Sequence, residues 1–311
     1  MTESSPARGS SPESALTGPV IVGYDADSSG TDALALGIGL GTALGLPVIV
    51  AKVHASPAPI GSGRVDAEWV ADRRAASAAV LSAAKRQAEE LHLSADAATA
   101  IEYRLVPSSS AARGLHDLAE SESAALIVVG SAATEGFDRR VFAGSTASRL
   151  LSGAAWPVVV APKGLAGAGW KGPQRIGVAY LATDEGLLAV QTAADIARRT
   201  GGSLHLFTAV AEEASVLPWL VGVDGEQAFA ATVREGVQRA LDEAVATTEG
   251  LPVDAGLLVG DVVRLLADLP DIDLLICGSR GYGPIRRVLL GGVSSRLMRR
   301  SVNPLLVVPR P

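Results

Sequence analysis

The sequence predicts an α/β fold made twice: two tandem, doubly wound domains, each built on a five-stranded parallel sheet. Three observations carry this prediction. Residues 130–163 and 278–310 of the 311-residue chain repeat one another at an offset of 147, which places Arg140 on Arg287, Gly144 on Gly291, Pro157 on Pro304 and Pro162 on Pro309. Runs such as Leu126-Ile-Val-Val129 and Leu274-Leu-Ile-Cys277 are apolar without alternation, as expected of strands covered on both faces. These runs alternate with Ala/Leu-rich helical stretches, the pattern of right-handed β-α-β crossovers onto a parallel sheet.

The elements follow in order. In the first copy, strands are expected near 19–24, 47–53, 99–106, 125–130 and 157–161. Helices are expected near 29–44, 66–92, 110–121 and 145–153. The second copy gives strands near 175–180, 203–210, 253–259, 272–277 and 304–308, and helices near 184–200, 226–248, 261–269 and 292–301. Residues 1–17 are polar and rich in Ser and Pro and read as a disordered tail. The domains then span 18–163 and 174–311, joined by a Gly-rich linker, 164–173.

Composition narrows the function classes. Hydrophobic residues make up 48% of the chain, enough for two cores. A net charge of −6 argues against a nucleic-acid-binding protein. Cys277 is the sole cysteine, so no disulfide can form within the chain. The N-terminal segment lacks the apolar core of a signal peptide, and no apolar run reaches the ~18–20 residues that span a bilayer. A cytoplasmic location without membrane contact is the expectation.

The sharpest local pattern is Gly278-Ser-Arg-Gly281, nine residues, then Gly291-Gly292-Val-Ser-Ser295. It follows a buried strand and ends where a helix starts. Glycine lets backbone approach a ligand closely, and the free N–H groups of a helix start favour phosphate. This pattern resembles the nucleotide motif of the ATP-binding universal stress proteins. The Val22-Gly-Tyr-Asp25 start and the Asn303-Pro-Leu-Leu-Val-Val-Pro309 ending are similar to the same family, and the resemblance covers 19–163 and 175–310. It implies an adenine nucleotide alpha hydrolase-like, Rossmann-like fold and ATP as the ligand, with Mg²⁺ able to bridge the phosphates. It implies a stress-response regulatory module that binds nucleotide, at most hydrolysing it slowly.

Carried over residue by residue, the resemblance gives the first copy Asp25 at the end of its first strand, with Gly130, Gly144 and Ser145 in the loop. The second copy has Gly278, Arg280, Gly281 and Gly291. Each copy departs from the full pattern. Leu181 stands where the second copy should carry the aspartate, and Gly292 replaces a Ser or Thr. In the first copy Ala133 or Thr134 stands in place of the second glycine, in a loop one residue longer.

Several residues admit two readings. Asp25 either contacts the sugar or base of a nucleotide or caps the following helix. The loop glycines serve a ligand or only the turn, since a non-Gly residue at positive φ costs ~1–2 kcal/mol. The pairs Arg139-Arg140 and Arg286-Arg287 contact phosphate, lie on a solvated face, or bridge the domains. His54 lines the pocket or is structural.

Gly37-x-Gly39-x-Gly41 falls inside a helix, so close helix packing is expected there and not a dinucleotide fingerprint. No Walker loop, nucleophile elbow or metal-ligand spacing is present. Cys277 reads as a core residue. The connections 55–65 and 211–225 are expected to be irregular, with Trp219 and Leu220 either exposed for a partner or folded over the sheet. The competing reading of the whole chain is a protein-interaction module whose sites no longer bind nucleotide. Family members pair through their last strand, which here implies pairing of 157–161 with 304–308 within the chain and a possible further homodimer.

Overall fold

The computed structural model describes residues 16–55, 63–91, 100–132, 140–153, 155–210, 218–279 and 292–309. Of residues 55, 63–70 and 218–230 it describes the backbone alone. The first copy runs Val20–Gly23 (β1), Ser28–Leu44 (α1), Val48–Ala55 (β2), Gly63–Glu90 (α2), Ile101–Ser108 (β3), Ala111–Ser121 (α3), Leu126–Gly130 (β4), Ser145–Leu151 (α4) and Val158–Ala161 (β5). The second runs Arg175–Ala179 (β6), Asp184–Thr200 (α5), Ser203–Val210 (β7), Pro218–Ala246 (α6), Val253–Val259 (β8), Val262–Ala267 (α7), Leu274–Gly278 (β9), Gly292–Leu297 (α8) and Leu305–Val308 (β10).

All ten strands join one sheet in the order β3-β2-β1-β4-β5-β10-β9-β6-β7-β8. Neighbours within each copy pair in parallel. The copies meet where β5 and β10 pair antiparallel, with Leu305 opposite Val160 and Val307 opposite Val158. Edge-to-edge pairing of the last strands therefore takes place inside the chain and satisfies two edges that would otherwise be open.

Burial explains the unbroken apolar runs. Every residue of β5 and β10 is buried. One core lies on each face of the sheet, and each continues across the seam. The first joins Leu36 and Ile38 of α1 to Ala189 and Ile196 of α5 and Leu241 of α6. The second joins Leu115 of α3 and Leu150 of α4 to Leu266 of α7 and Leu297 of α8. The two copies thus share their apolar layers as well as their sheet.

Helix ends follow the local chemistry. Asp27 and Thr183 cap α1 and α5 by accepting the N–H of Gly30 and Gly186, and Gly45 and Gly201 end the same helices in the left-handed conformation. Two expectations need correction here. Helix α6 begins at Pro218, eight residues before the expected 226, and α2 at Gly63, so parts of both supposedly irregular connections are helical. Proline suits a first helical turn because its missing N–H has no partner to lose, and Gly222 and Gly225 are accommodated within the helix. Residues 56–62 and 211–217, and the side chains of Trp219 and Leu220, lie outside the described residues.

The end of the tail differs from expectation. Leu16, placed in the tail, is buried in the first core, and its carbonyl accepts a hydrogen bond from Arg199 (2.9 Å). The linker is ordered around a 3₁₀ turn, Ala166–Ala168. Asp32 of α1, 3% exposed, holds it by accepting the N–H groups of Gly164 (2.8 Å) and Ala166 (2.9 Å). Burial raises the Asp32 carboxyl above its ordinary range, against the pull of those N–H donors. Trp170 then packs on α1 and donates its indole N–H to the Asp273 carbonyl (2.9 Å).

Close packing accounts for two glycines of the run in α1. A Cβ at Gly37 would lie 2.2 Å from Val22 Cγ2, and one at Gly39 would lie 2.8 Å from the Trp170 ring. These glycines serve packing, as expected. Trp170→Ala should cost about 2 kcal/mol by cavity formation and loss of the cross-copy hydrogen bond. Urea unfolding with an unchanged slope would read it.

Candidate functional site

In a doubly wound sheet, ligands sit beyond the carboxyl ends of strands where the order reverses. In the first copy that place lies between β1 and β4. A cavity of about 290 Å³ opens there, and four of the residues anticipated from sequence, Asp25, Gly130, Gly144 and Ser145, line it together.

Asp25 follows β1 and its side chain is 63% exposed. It does not cap α1: Asp27 does, accepting from Gly30 N–H (2.8 Å) and Ser29 Oγ (2.9 Å). The second copy retains a cap at the equivalent position, Thr183, yet carries Leu181 in place of Asp25. The fold therefore needs the cap and not the aspartate. Asp25 accepts the N–H of Ala26 (2.9 Å) and pairs with Lys52 Nζ (2.6 Å).

Lys52 is a site residue that the sequence pattern did not single out. It extends from β2 into the cavity wall and is largely sheltered, at 17% side-chain exposure. A lysine interrupting the run Val48-Ile-Val-Ala-Lys-Val was the available signal. In the second copy β7 replaces it with Thr208, buried and donating to the Tyr180 carbonyl (3.2 Å). Both charges of the Asp25–Lys52 pair are thus missing from the second copy.

The glycines differ in their reasons. Gly130 is required by close approach, since a Cβ there would sit 2.0 Å from the Ser29 carbonyl oxygen at the start of α1. Neither Gly130 nor Gly144 has positive φ, so the conformational argument for them does not hold. Gly144 has φ −72°, and its Cβ would meet Ala132 Cβ at 3.1 Å. It starts α4 without a side-chain cap, leaving the backbone of Ser145, Thr146 and Ala147 at the cavity wall. Because α4 has only seven residues, local N–H groups and not a long helix dipole are what it offers.

Ser131 fixes this floor. It is 3% exposed, donates to the Ala161 carbonyl (2.7 Å) and accepts from Phe142 N–H (3.0 Å), so the ends of β4, β5 and the segment entering α4 are tied together. His54 is absent from the cavity lining; its neighbours Lys52 and Val53 take that place. Residues 133–139, including Ala133, Thr134 and Arg139, lie outside the described residues.

The sequence pattern of the universal stress protein family matches residues 17–162 and 173–309. The chain belongs to that family. A universal stress protein of Mycobacterium tuberculosis (strain H37Rv) is 29% identical over 299 residues, covering 93% of this chain and 99% of its own length. The crystal structure of a universal stress protein from Archaeoglobus fulgidus DSM 4304 matches 96% of this chain and 100% of its own, with a TM-score of 0.64 at 19% identity. A third universal stress protein, solved in complex with cAMP, covers 36% of this chain and 75% of its own at 23% identity and a TM-score of 0.29.

The universal stress protein motif of the second copy is described only in part. Gly278 ends β9; its Cβ would lie 3.1 Å from both the Cβ and the carbonyl oxygen of Glu185. Arg280, Gly281, Gly291, Arg286 and Arg287 lie outside the described residues. Leu181 is 45% exposed at the mouth where the first copy presents Asp25. Cys277 is buried, and desolvation pushes its thiol up to about 12, which makes it an inert core residue.

Among the described residues, one group combines three metal-ligating types. His116, Asp117 and Glu120 of α3 have ligand atoms within 4.8 Å of one another. Arg113 already holds Asp117 at 2.9 Å, which opposes a cation there. Among the described residues no helix is long and apolar enough to cross a membrane.

Proposed function

We propose that the first copy binds an adenine nucleotide, ATP above all, and that the protein is a cytoplasmic regulatory module of the stress response. The observation that carries this reading is the cavity in which Asp25, Lys52, Gly130, Gly144 and Ser145 converge at the strand-order reversal. Lys52 and the backbone of Gly130 and Gly144–Thr146 supply cation and donors for phosphate, and Asp25 supplies an acceptor for ribose hydroxyls. A volume of about 290 Å³ lies at the small end of ligand pockets, so part of the nucleotide is enclosed and part extends to the mouth. Mg²⁺ accompanies the phosphates and is held by them. Binding biases the arrangement of the copies or the docking of a partner, with at most slow hydrolysis.

Leu181 favours a second reading for the second copy alone. An exposed leucine and a buried threonine in place of Asp25 and Lys52 suit contact with a protein better than with a polyphosphate.

Calorimetric titration of nucleotide-free protein with ATP and Mg²⁺ tests the proposal. One site per chain is expected, with affinity lowered about tenfold or more in Asp25→Ala, the scale of one lost charge-assisted hydrogen bond. No saturable binding by folded protein at millimolar ATP would leave the protein-interaction reading in its place.

A further inference from the structure

The seam between the copies holds a second concavity, unrelated to the strand-order reversal. It has a volume of about 400 Å³ and is lined by Arg140, Phe142, Arg264, Ala267, Asp268, Arg299 and Arg300. Four arginines and one aspartate are among these residues, in a chain whose net charge is −6.

The internal repeat shows how this excess arises. Arg264 and Asp268 of the second copy correspond to Arg113 and Asp117 of the first: each arginine stands three residues after its helix N-cap, Asp261 or Ser110, and each aspartate seven. In the first copy Arg113 and Asp117 form the ordinary i,i+4 pair at 2.9 Å. In the second copy Asp268 is taken instead by Arg140 across the seam, at 2.8 Å. The same Arg140 donates to the Arg300 carbonyl (2.7 Å). Arg264 is thereby left without its helical partner, and no carboxylate pairs with Arg264, Arg299 or Arg300 among the described residues.

The backbone around them is fixed. Val141 N–H donates to the Ser301 carbonyl (2.7 Å) and Ala143 N–H to the Met298 carbonyl (2.8 Å), so both walls of the cleft are held across the seam. Asp261 spends its carboxylate on the N–H groups of Val263 and Arg264, which hold it below the usual range, with Arg296 and Arg300 adding a smaller pull. Including Asp261 and Arg296 still leaves five guanidiniums against two carboxylates.

We infer that this seam cleft is a second anion site, which takes a compact oligophosphate and clamps it between arginines of the two copies. Guanidinium forks match phosphate oxygens in pairs, and a cleft of this volume suits a small molecule. Free oligophosphate and the phosphate tail of a nucleotide share that chemistry. Phe142 and Ala267 add an apolar wall that a nucleoside would use and inorganic tripolyphosphate would not. The inference does not rest on nucleotide binding in the first copy.

The test is titration of the full chain with sodium tripolyphosphate at low ionic strength, with ATP in a parallel arm. To silence the first-copy cavity, all proteins carry Lys52→Thr and Asp25→Leu. Saturable binding is expected, weakened about tenfold by Arg264→Gln with Arg300→Gln and weakened further by added salt. These side chains are exposed, so the fold is expected to survive, with circular dichroism as the check. Asp268→Asn removes the competing carboxylate and should tighten binding about threefold, a gain that unfolding cannot mimic. ATP binding more tightly than tripolyphosphate assigns the ligand as a nucleotide tail, and equal affinity assigns free oligophosphate. No binding, or equal affinity in the parent and the Arg264→Gln/Arg300→Gln protein, overturns the inference.

Discussion

Giving the first copy the residues of the second, Asp25→Leu with Lys52→Thr, is expected to lower ATP affinity about a hundredfold, the combined effect of removing two charge-assisted hydrogen bonds to the ligand. Stability should hardly change. Asp25 is 63% exposed, and an ion pair with one exposed partner is worth ~0–1 kcal/mol. The second copy already folds with Leu181 and Thr208 at these positions and keeps its helix cap through Thr183. Binding by calorimetry and unfolding by urea therefore separate: the first should fall and the second hold. A parallel loss of both would mean that the Asp25–Lys52 pair serves the fold.

A large loss of stability is expected at Gly30 and Gly186. A Cβ at Gly30 would lie 1.9 Å from the Asp25 carbonyl oxygen, and one at Gly186 the same 1.9 Å from that of Leu181. Both copies turn from strand into helix through a contact that only glycine permits. Gly30→Ala and Gly186→Ala should each destabilise by about 3 kcal/mol, as backbone must shift to relieve the clash. Gly236→Ala is the control. It sits in α6 with no atom near its would-be Cβ, and should stabilise by roughly 0.5–1 kcal/mol through helix propensity. Urea midpoints rank the three. Equal effects at all positions would show that the close contacts are not tight in solution.

The fold was legible because its signals are local and doubled. Unbroken runs such as Leu126–Val129 mark strands buried on both faces, and the 147-residue offset lets each copy check the other. The pairing of β5 with β10 followed from family resemblance and not from any residue pattern within those strands. The loop residues Gly130, Gly144 and Ser145, and Asp25, were named through the family resemblance, and the fold brings these four to one cavity. Lys52 was not, since its relevance depends on register: Lys52 and Asp25 are 27 residues apart and meet only when β1 and β2 pair.

Long-range capture hid other features as well. An i,i+4 spacing would pair Arg264 with Asp268, the residue that caps the end of α7, whereas the fold offers Asp268 a competing arginine from the other copy. The Gly-rich linker is fastened by Trp170 and the buried Asp32 carboxylate, contacts no local pattern announces. The Arg139-Arg140 pair left three readings open. Arg140 makes a contact between copies, joined to Asp268 and to the Arg300 carbonyl.

The central claim is that the cavity between β1 and β4 is the nucleotide site. The most direct measurement is a crystal structure of the full chain grown with ATP and Mg²⁺. The account predicts one nucleotide in that cavity, its phosphates against Lys52 and the backbone of Gly130 and Gly144–Thr146, and its ribose at Asp25. A first-copy cavity left empty at saturating ATP, or nucleotide bound in the second copy alone, would contradict it.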